Sequence, residues 1–238
     1  MPASPTSSPS KAEAVRAMFT RIARRYDLMN SLMTGGRHHA WRRKVADTAA
    51  GAPAGPVLDL ATGTADLAIA VRARTPVRFV AGADFSEGML QVGQAKLRER
   101  RVARTELLVA DALALPFRDG AFACVVSAFL LRNLEDLERG LAEMRRVTTR
   151  GGRVVTLDIV RPAQPLWGAA FGAYFSRVVP AVGALVAGDR QAYTYLPQSV
   201  DRFVTPDELV ELMEKVGLRD VGYRRFGLGT IALHVGIA

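Results

Sequence analysis

Val57-Leu-Asp-Leu-Ala-Thr-Gly-Thr-Ala-Asp66 is the stretch of sequence that decides the fold. An apolar run of strand length leads into a turn at Gly63, and a helix begins directly after the turn. Glycine lets the backbone approach a ligand closely, and the first amides of a helix point at whatever binds there. Asp84 follows the next apolar strand, where its carboxylate can accept both ribose hydroxyls of a nucleoside. The stretch therefore predicts a nucleoside site at the carboxyl ends of two neighbouring strands.

The residues after the turn favour a nucleoside that carries no pyrophosphate. The dinucleotide pattern G-x-G-x-x-G needs two further glycines, and Ala65 and Ala68 stand in their places. Asp59 and Asp66 would repel a phosphate but attract a sulfonium group. This combination indicates S-adenosylmethionine as the cofactor, and the turn resembles the first motif of the Rossmann-like methyltransferases. A flavodoxin-like fold that binds no nucleotide is the alternative, and it leaves the two acids unexplained.

The resemblance to that superfamily also implies which residues contact the cofactor. Asp111 and Ala112 follow the third strand, where members of the superfamily meet the adenine amino group. Thr64 belongs to the turn itself. The predicted cofactor-binding residues are Asp59, Gly63, Thr64, Asp66, Asp84, Asp111 and Ala112.

Apolar runs of strand length alternate with amphipathic helices along most of the chain. The predicted strands of this part are Val57–Leu60, Val77–Ala83, Glu106–Ala110, Phe122–Ala128 and Arg153–Ile159. The predicted helices among them are Ala65–Ala73, Glu87–Arg100 and Glu135–Val147. Two later strands, near Asp220–Arg225 and Ile231–Val235, are joined by a link too short for a parallel crossover. The pattern predicts an α/β, Rossmann-like fold with a mostly parallel seven-stranded sheet, an antiparallel last strand and helices on both faces.

The composition is that of a globular protein. The chain has 238 residues, of which 49% are hydrophobic and 23% charged, and its net charge is +9. Its single cysteine excludes a disulfide scaffold and a thiolate zinc site, and we predict no metal site. The first ten residues lack the basic start and apolar run of a secretory signal. A cytoplasmic location is therefore expected.

The pattern also predicts how the chain is organised around the sheet. The predicted parts are a disordered tail at residues 1–10 and a single methyltransferase domain at residues 11–238, which includes an N-terminal helical cap at 11–50 and a helical insert or lid at 162–200. The cap helices are expected at Lys11–Arg25 and His38–Ala49. The insert has a long apolar run, but Arg177, Pro180 and its glycines argue against a membrane span. Ordinary core packing is the alternative to a lid that shelters a ligand.

Several short motifs lie outside the turn, and two of them, Tyr-Asp-x-Met-Asn and Leu-Arg-Asn, are more specific than the turn. The motifs are Phe19-x(6)-Tyr26-Asp27-Leu-Met-Asn30, His38-x-x-Trp41, Leu131-Arg132-Asn133, Asp189-x(3)-Tyr193-x-Tyr195-Leu196 and Ala232-Leu-His234-x-Gly236. Together they resemble the ubiquinone/menaquinone biosynthesis C-methyltransferase family over residues 15–238, although Leu130 stands where the family usually has glycine. The resemblance implies methyl transfer from S-adenosylmethionine to a ring carbon of a polyprenylated quinol. Both demethylmenaquinol and the benzoquinol of the ubiquinone pathway stay open as substrates.

This chemistry assigns roles to the residues of the motifs. Arg132 would stabilise negative charge on a phenolic oxygen, and Asn133 would orient a hydroxyl or a water. Tyr26, Asp27 and His38 complete the predicted catalytic set, with His38 as the proton acceptor. The predicted substrate-binding residues are Trp41, Tyr193 and Tyr195. Packing of the cap or the lid on the sheet is the alternative for His38, Trp41 and the two tyrosines.

Two other functions remain open from the sequence. The chain could methylate another small phenolic or polyketide metabolite, since such enzymes share the cofactor motifs. It could also be a non-catalytic basic module that binds membranes or nucleic acid through its arginine clusters. The leading hypothesis implies a lipid quinol substrate, transient contact with the inner face of the membrane, no nucleic acid and a homodimer.

Overall fold

The computed structural model describes residues 11–75, 78–162, 164–182 and 190–238. The predicted tail at residues 1–10 lies outside the described residues.

The described residues form one seven-stranded sheet. The strands are β1 (Val57–Leu60), β2 (Val80–Asp84), β3 (Thr105–Val109), β4 (Phe122–Ala128), β5 (Thr148–Ile159), β6 (Arg219–Phe226) and β7 (Ile231–Ile237). Their order across the sheet is β3-β2-β1-β4-β5-β7-β6, and β7 alone runs antiparallel to its neighbours within this sheet. The predicted fold class, with its antiparallel last strand, is confirmed.

Helices cover both faces of the sheet. They are α1 (Lys11–Thr34), α2 (Arg37–Ala50), α3 (Asp66–Arg74), α4 (Glu87–Glu99), α5 (Leu137–Val147), α6 (Pro165–Ala173), α7 (Val179–Val182), α8 (Arg190–Asp201) and α9 (Pro206–Lys215). A short 3₁₀ helix occupies Leu131–Asn133, and a π-helical turn occupies Tyr174–Val178. Leu58 and Leu60 of β1 face one apolar layer with α5 and α9, whereas Val57 faces the other with α2 and α3. Because adjacent residues of a strand point to opposite faces, burial on both faces explains the continuous apolar runs.

α1 is longer than the sequence predicts. The prediction ends the helix at Arg25, but the helix continues through Tyr26 and Asp27 to Thr34. Met29 is completely buried in the extra turns, in a cluster with residues of the insert. Tertiary packing therefore outweighs the low helix propensity of aspartate and asparagine in this segment.

The insert between β5 and α9 is helical where the structure describes it. α6, the π-helical turn and α7 follow one another without a break. Phe175 and Val179 belong to the same buried cluster as Ile22 and Met29 of α1. The insert and the cap therefore pack on each other above one end of the sheet. Among the described helices, none is both long and apolar enough to cross a bilayer.

Candidate active site

The glycine turn is fastened to the end of β2 by a carboxylate. The Gly63 N–H donates to one oxygen of Asp84 at 2.9 Å, and the Ser86 N–H donates to the other oxygen at 2.9 Å. Gly63 has φ +55°, a left-handed conformation that favours glycine, and a Cβ there would lie 3.1 Å from the Met89 methyl carbon. Burial raises the pKa of Asp84 to about 6, although these amides oppose the shift.

A cavity of about 90 Å³ opens beside this turn. Of the predicted cofactor-binding residues, four line it: Gly63, Asp84, Asp111 and Ala112. Each oxygen of Asp84 keeps a second lone pair beyond its amide bond, which is what a ribose diol needs. Apolar walls from Phe85 and Met89 suit the flat face of a base. The lining therefore fits a nucleoside.

Asp59 lies beneath the turn and does not line this cavity. Its side chain is completely buried, and one oxygen accepts the Thr62 hydroxyl at 2.6 Å. The other oxygen has no hydrogen-bond partner among the described residues. Burial raises the pKa of Asp59 to about 7 because the charged form is desolvated.

Thr64 and Asp66 face the N-terminal cap instead of the cavity. The Thr64 hydroxyl donates to Asp27 of α1 at 2.6 Å. Lys96 of α4 donates to both Asp27 and Asp66, each at 2.6 Å, and Arg42 of α2 lies 3.2 Å from Asp66. We call Asp27, Arg42, Thr64, Asp66 and Lys96 the cap network. Sequence reasoning missed Lys96 because no local pattern marks a lysine in the middle of an amphipathic helix.

A second cavity, of about 330 Å³, lies between the sheet edge, the cap and the insert. Its lining includes most of the predicted catalytic and substrate residues: Tyr26, His38, Trp41, Arg132, Asn133 and Tyr195. We call it the ring cavity and the one beside the glycine turn the nucleoside cavity. Four residues line both the nucleoside cavity and the ring cavity: Phe19, Tyr26, Phe129 and Asn133. The two cavities therefore adjoin through one shared wall.

Arg132 reaches the ring cavity as half of a buried ion pair. Its guanidinium donates to Asp158 at the end of β5, and both side chains are almost fully buried. Asn133 accepts the Tyr195 hydroxyl at 3.2 Å and donates to the Phe129 carbonyl at 3.0 Å. Sequence reasoning missed Asp158, since it is 26 positions from Arg132 and lies within an apolar strand. Leu130, at the family's usual glycine position, has an ordinary φ of −91°.

Three hydrogen-bond donors around the ring cavity lack a partner among the described residues. They are Nδ2 of Asn30, Nε of Arg132 and Nε1 of Trp167, and all three residues line the cavity. A buried donor without a partner is costly. Donors without matching acceptors in an otherwise apolar cavity fit a ligand that brings oxygen acceptors. Sequence reasoning did not assign Asn30 or Trp167 to the site.

His38 is buried in the wall of the ring cavity with both ring nitrogens engaged. Arg42, which can only donate, contacts Nδ1, so that nitrogen accepts and Nε2 carries the proton. Nε2 then donates to the Ser31 hydroxyl at 3.1 Å, and that hydroxyl donates to the Asp27 carbonyl at 2.9 Å. Burial and the neighbouring Arg42 lower the pKa of His38 to about 4. This arrangement leaves no free lone pair on the ring to accept a proton.

The remaining predicted residues are divided between the cavity and the cap. Trp41 and Tyr195 line the ring cavity, as a substrate-binding role requires. Asp27 lies in the cap network and lines neither the ring cavity nor the nucleoside cavity. The side chain of Tyr193 lies outside the described part of the structure.

Solved structures similar to this one include S-adenosylmethionine-dependent methyltransferases. A SAM-dependent methyltransferase from Aquifex aeolicus superposes with a TM-score of 0.63 at 16% identity, covering 89% of this chain and 98% of that one. The [4+2]-cyclase SpnF superposes with a TM-score of 0.68 at 19% identity, covering 95% and 80%. At these identities the likeness establishes the fold alone.

Sequence relatives establish the family. Residues 7–238 match the model of the ubiE/COQ5 methyltransferase family, and the chain belongs to that family. A demethylmenaquinone methyltransferase of Thermus thermophilus is 44% identical over 92% of this chain and 99% of its own length. A ubiquinone/menaquinone biosynthesis C-methyltransferase UbiE of Desulfotalea psychrophila is 41% identical over 96% and 92%. The resemblance found in the motifs and the assignment to the methyltransferases are confirmed.

Proposed function

We propose that the protein transfers a methyl group from S-adenosylmethionine to a ring carbon of a polyprenylated quinol, with demethylmenaquinol as the first substrate to test. The observation that carries the proposal is the pair of adjoining cavities, one fitted to a nucleoside and the other apolar with unpartnered donors. The names of the relatives support the quinone substrate. Methylation of another phenolic or polyketide metabolite, and a non-catalytic role, are less well supported.

The residues around the nucleoside cavity would hold the cofactor. Asp84 accepts the ribose hydroxyls, and the backbone at Gly63 approaches the ligand without a side chain in the way. Asp111 and Ala112 lie where the adenine would be held. The bound cofactor supplies the activated methyl group. The other three predicted residues would not touch the cofactor. They hold the turn and the cap in place, and they are Asp59, Thr64 and Asp66.

The residues around the ring cavity would hold and activate the quinol. A phenolic oxygen must gain negative charge before its ortho carbon becomes nucleophilic, and the Arg132 guanidinium stabilises that charge. Asn30 and Trp167 offer further donors to the ring oxygens. Asn133 lies on the shared wall with Tyr26, so it orients the ring towards the nucleoside cavity. Because His38 has no free lone pair, we assign the departing ring proton to water in the cavity instead.

The direct test is methylation with labelled cofactor. The protein is incubated with radiolabelled S-adenosylmethionine and a short-chain demethylmenaquinol, and the lipid extract is counted. We expect label in the naphthoquinol ring, with a matched benzoquinol as the second substrate arm. No label in either lipid would contradict the proposal. Calorimetry with S-adenosylhomocysteine separates a wrong substrate from a non-catalytic module, because only an enzyme of this class binds it.

Contact with the membrane surface is a second part of the proposal. Leu28 and Leu32 are exposed one turn apart on α1, and Tyr174 and Val178 are exposed one turn apart on the insert. The Tyr174 hydroxyl donates to the Met33 carbonyl at 3.1 Å, which joins the two helices beside the ring cavity. The exposed arginines nearby are Arg25, Arg37 and Arg177. Apolar side chains among arginines suit an anionic bilayer, where a prenylated substrate resides.

The remaining proposals concern organisation and location. We propose that residues 11–238 act as one domain at the cytoplasmic face of the membrane, with the cap and the insert closing the ring cavity. A homodimer stays a prediction, and light scattering of the purified protein tests it.

A further inference from the structure

A third cavity, of about 210 Å³, lies on the outer side of the insert. Its walls come from the segment after β5, from α6 with the π-helical turn, and from α8. None of the residues assigned to the nucleoside cavity or to the ring chemistry lines it. We call it the outer cavity.

The outer cavity adjoins the ring cavity through two phenylalanines. Phe171 and Phe175 line both cavities. Their ring centroids are 4.3 Å apart at an interplanar angle of 37°, so the two rings form one thin partition. Because the two rings are in contact, a chain that runs from one cavity to the other must displace one of them by rotation about χ1 and χ2.

The lining of the outer cavity combines less exposed apolar residues with exposed polar ones. Pro162, Pro197 and Val200 are half-buried or buried, whereas Arg161, Ser176 and Asp201 are exposed. Buried apolar residues together with exposed polar ones suit a hydrocarbon chain that leaves an enclosed site for the surface.

Two glycines of α6 keep the outer cavity open. Gly168 and Gly172 both line it, one helical turn apart. A Cβ at Gly172 would meet no atom within 4 Å, and a Cβ at Gly168 would meet only the Pro162 carbonyl oxygen at 3.7 Å. Glycine costs stability in the middle of a helix, and neither position is crowded enough to require it. The two glycines therefore leave open space in the outer cavity that larger side chains would fill.

We propose that the outer cavity receives the isoprenoid tail of the quinol, which passes between Phe171 and Phe175 while the ring occupies the ring cavity. This inference rests on the proposed function and names a second subsite for the same substrate. A narrow, flexible apolar chain suits this route, because Phe171 and Phe175 are the residues that line both cavities.

The test fills the cavity and measures binding and turnover separately. Gly172→Leu projects a side chain into the open space, and it should not harm α6 because leucine favours helices. Gly222→Leu is the matched control, since Gly222 is exposed on β6 and a Cβ there also meets nothing within 4 Å. Calorimetry with geranylgeraniol reports tail binding without any methylation, and calorimetry with S-adenosylhomocysteine reports an intact fold.

The expected result is a selective loss. Gly172→Leu should weaken geranylgeraniol binding about tenfold or more, since several buried methylene groups lose their contacts. It should lower kcat/KM by a similar factor for a long-tailed quinol and leave a tailless quinol unchanged. Equal affinity for geranylgeraniol in both variants, or an equal loss on both quinols, would overturn the tail site. Isoprenoid binding by a wild-type protein that methylates neither quinol would instead refute the proposed function and leave the tail site standing.

Discussion

Asp84 has two tasks, one observed in the fold and one proposed at the ligand site. Its two oxygens accept backbone amides from two different segments, so the side chain fixes the distance between the turn and the end of β2. Asp84 also lines the nucleoside cavity. In the proposed function the same residue would therefore serve the shape of the site and its chemistry.

Asp84→Asn should separate these two tasks. Asparagine keeps one acceptor oxygen but replaces the other with a donor, so the diol contact and one amide contact are lost. We expect an affinity for S-adenosylhomocysteine that is roughly tenfold to hundredfold weaker, measured by calorimetry. An unchanged affinity would place the cofactor elsewhere. Asp207→Asn, at an exposed position on α9, is the control and should bind as the wild type does.

Asp59 should make the stability of the protein depend on pH. Because burial raises its pKa from 3.8 to about 7, the folded state binds the proton more tightly than the unfolded state. This contribution to stability is fully present below the unfolded pKa and is lost as the pH rises through about 7. Asp59→Asn cannot titrate, so its stability relative to the wild type should rise by about 2 kcal/mol between pH 5 and pH 8. Urea denaturation at both pH values measures the difference, and an equal offset at the two would contradict it.

The cap network joins the helices α1 and α2 to the glycine turn, α3 and α4. α1 and α4 pack against each other, and Lys96 of α4 adds an ion pair with Asp27 of α1 to that packing. Its side chain is only 11% exposed and lies between two carboxylates on different elements. The cap is therefore attached to the glycine turn by polar contacts as well as by apolar packing.

Lys96→Met should loosen the cap. Methionine keeps the apolar stem but leaves Asp27 and Asp66 with less compensation, which should lower the free energy of unfolding by roughly 2–4 kcal/mol. Lys215→Met is the control, because its ion pair with Glu138 is 63% exposed on the lysine side and should contribute less than about 1 kcal/mol. Urea denaturation compares the two variants. Equal losses would mean that the cap is held by packing alone.

The sequence predicts elements well where a pattern repeats within a few residues. The strands β1 and β4 begin and end as expected, since their apolar runs are bounded by turn residues. The glycine turn and Asp84, at the end of β2, were also predicted, because each directly follows an apolar run in the sequence. The extra turns of α1 could not be predicted, since Met29 lies in a buried cluster that includes residues of the distant insert. The pairing of Lys96 with Asp27 spans 69 positions and has no local signal.

At the scale of the whole molecule, the nucleoside and ring cavities lie at the end of the sheet to which the parallel strands direct their carboxyl ends. That end is where ligands bind in open α/β sheets. The net charge of +9 adds a general attraction to anionic surfaces. The proposed membrane contact would therefore involve a preferred side of the molecule.

Charge and apolar contact should both contribute to membrane binding. Leu28→Glu combined with Leu32→Glu, at positions 52% and 50% exposed, should reduce sedimentation with phosphatidylglycerol vesicles about fivefold or more. Phe79→Glu, directly before β2 at the opposite edge of the sheet, is the control and should bind nearly as well as the wild type. Binding of the wild type should also weaken between 0.1 M and 0.5 M salt. A double variant that sediments like the control would place the membrane contact on another face.

The wall shared by the nucleoside and ring cavities has a thermodynamic consequence for the proposed pair of ligands. Four side chains, Phe19, Tyr26, Phe129 and Asn133, line both cavities. A ligand in one cavity that orders these side chains would lower the entropy cost of binding in the other cavity. Linkage then requires reciprocity: whatever factor the nucleoside adds to the affinity for the quinol, the quinol adds to the affinity for the nucleoside.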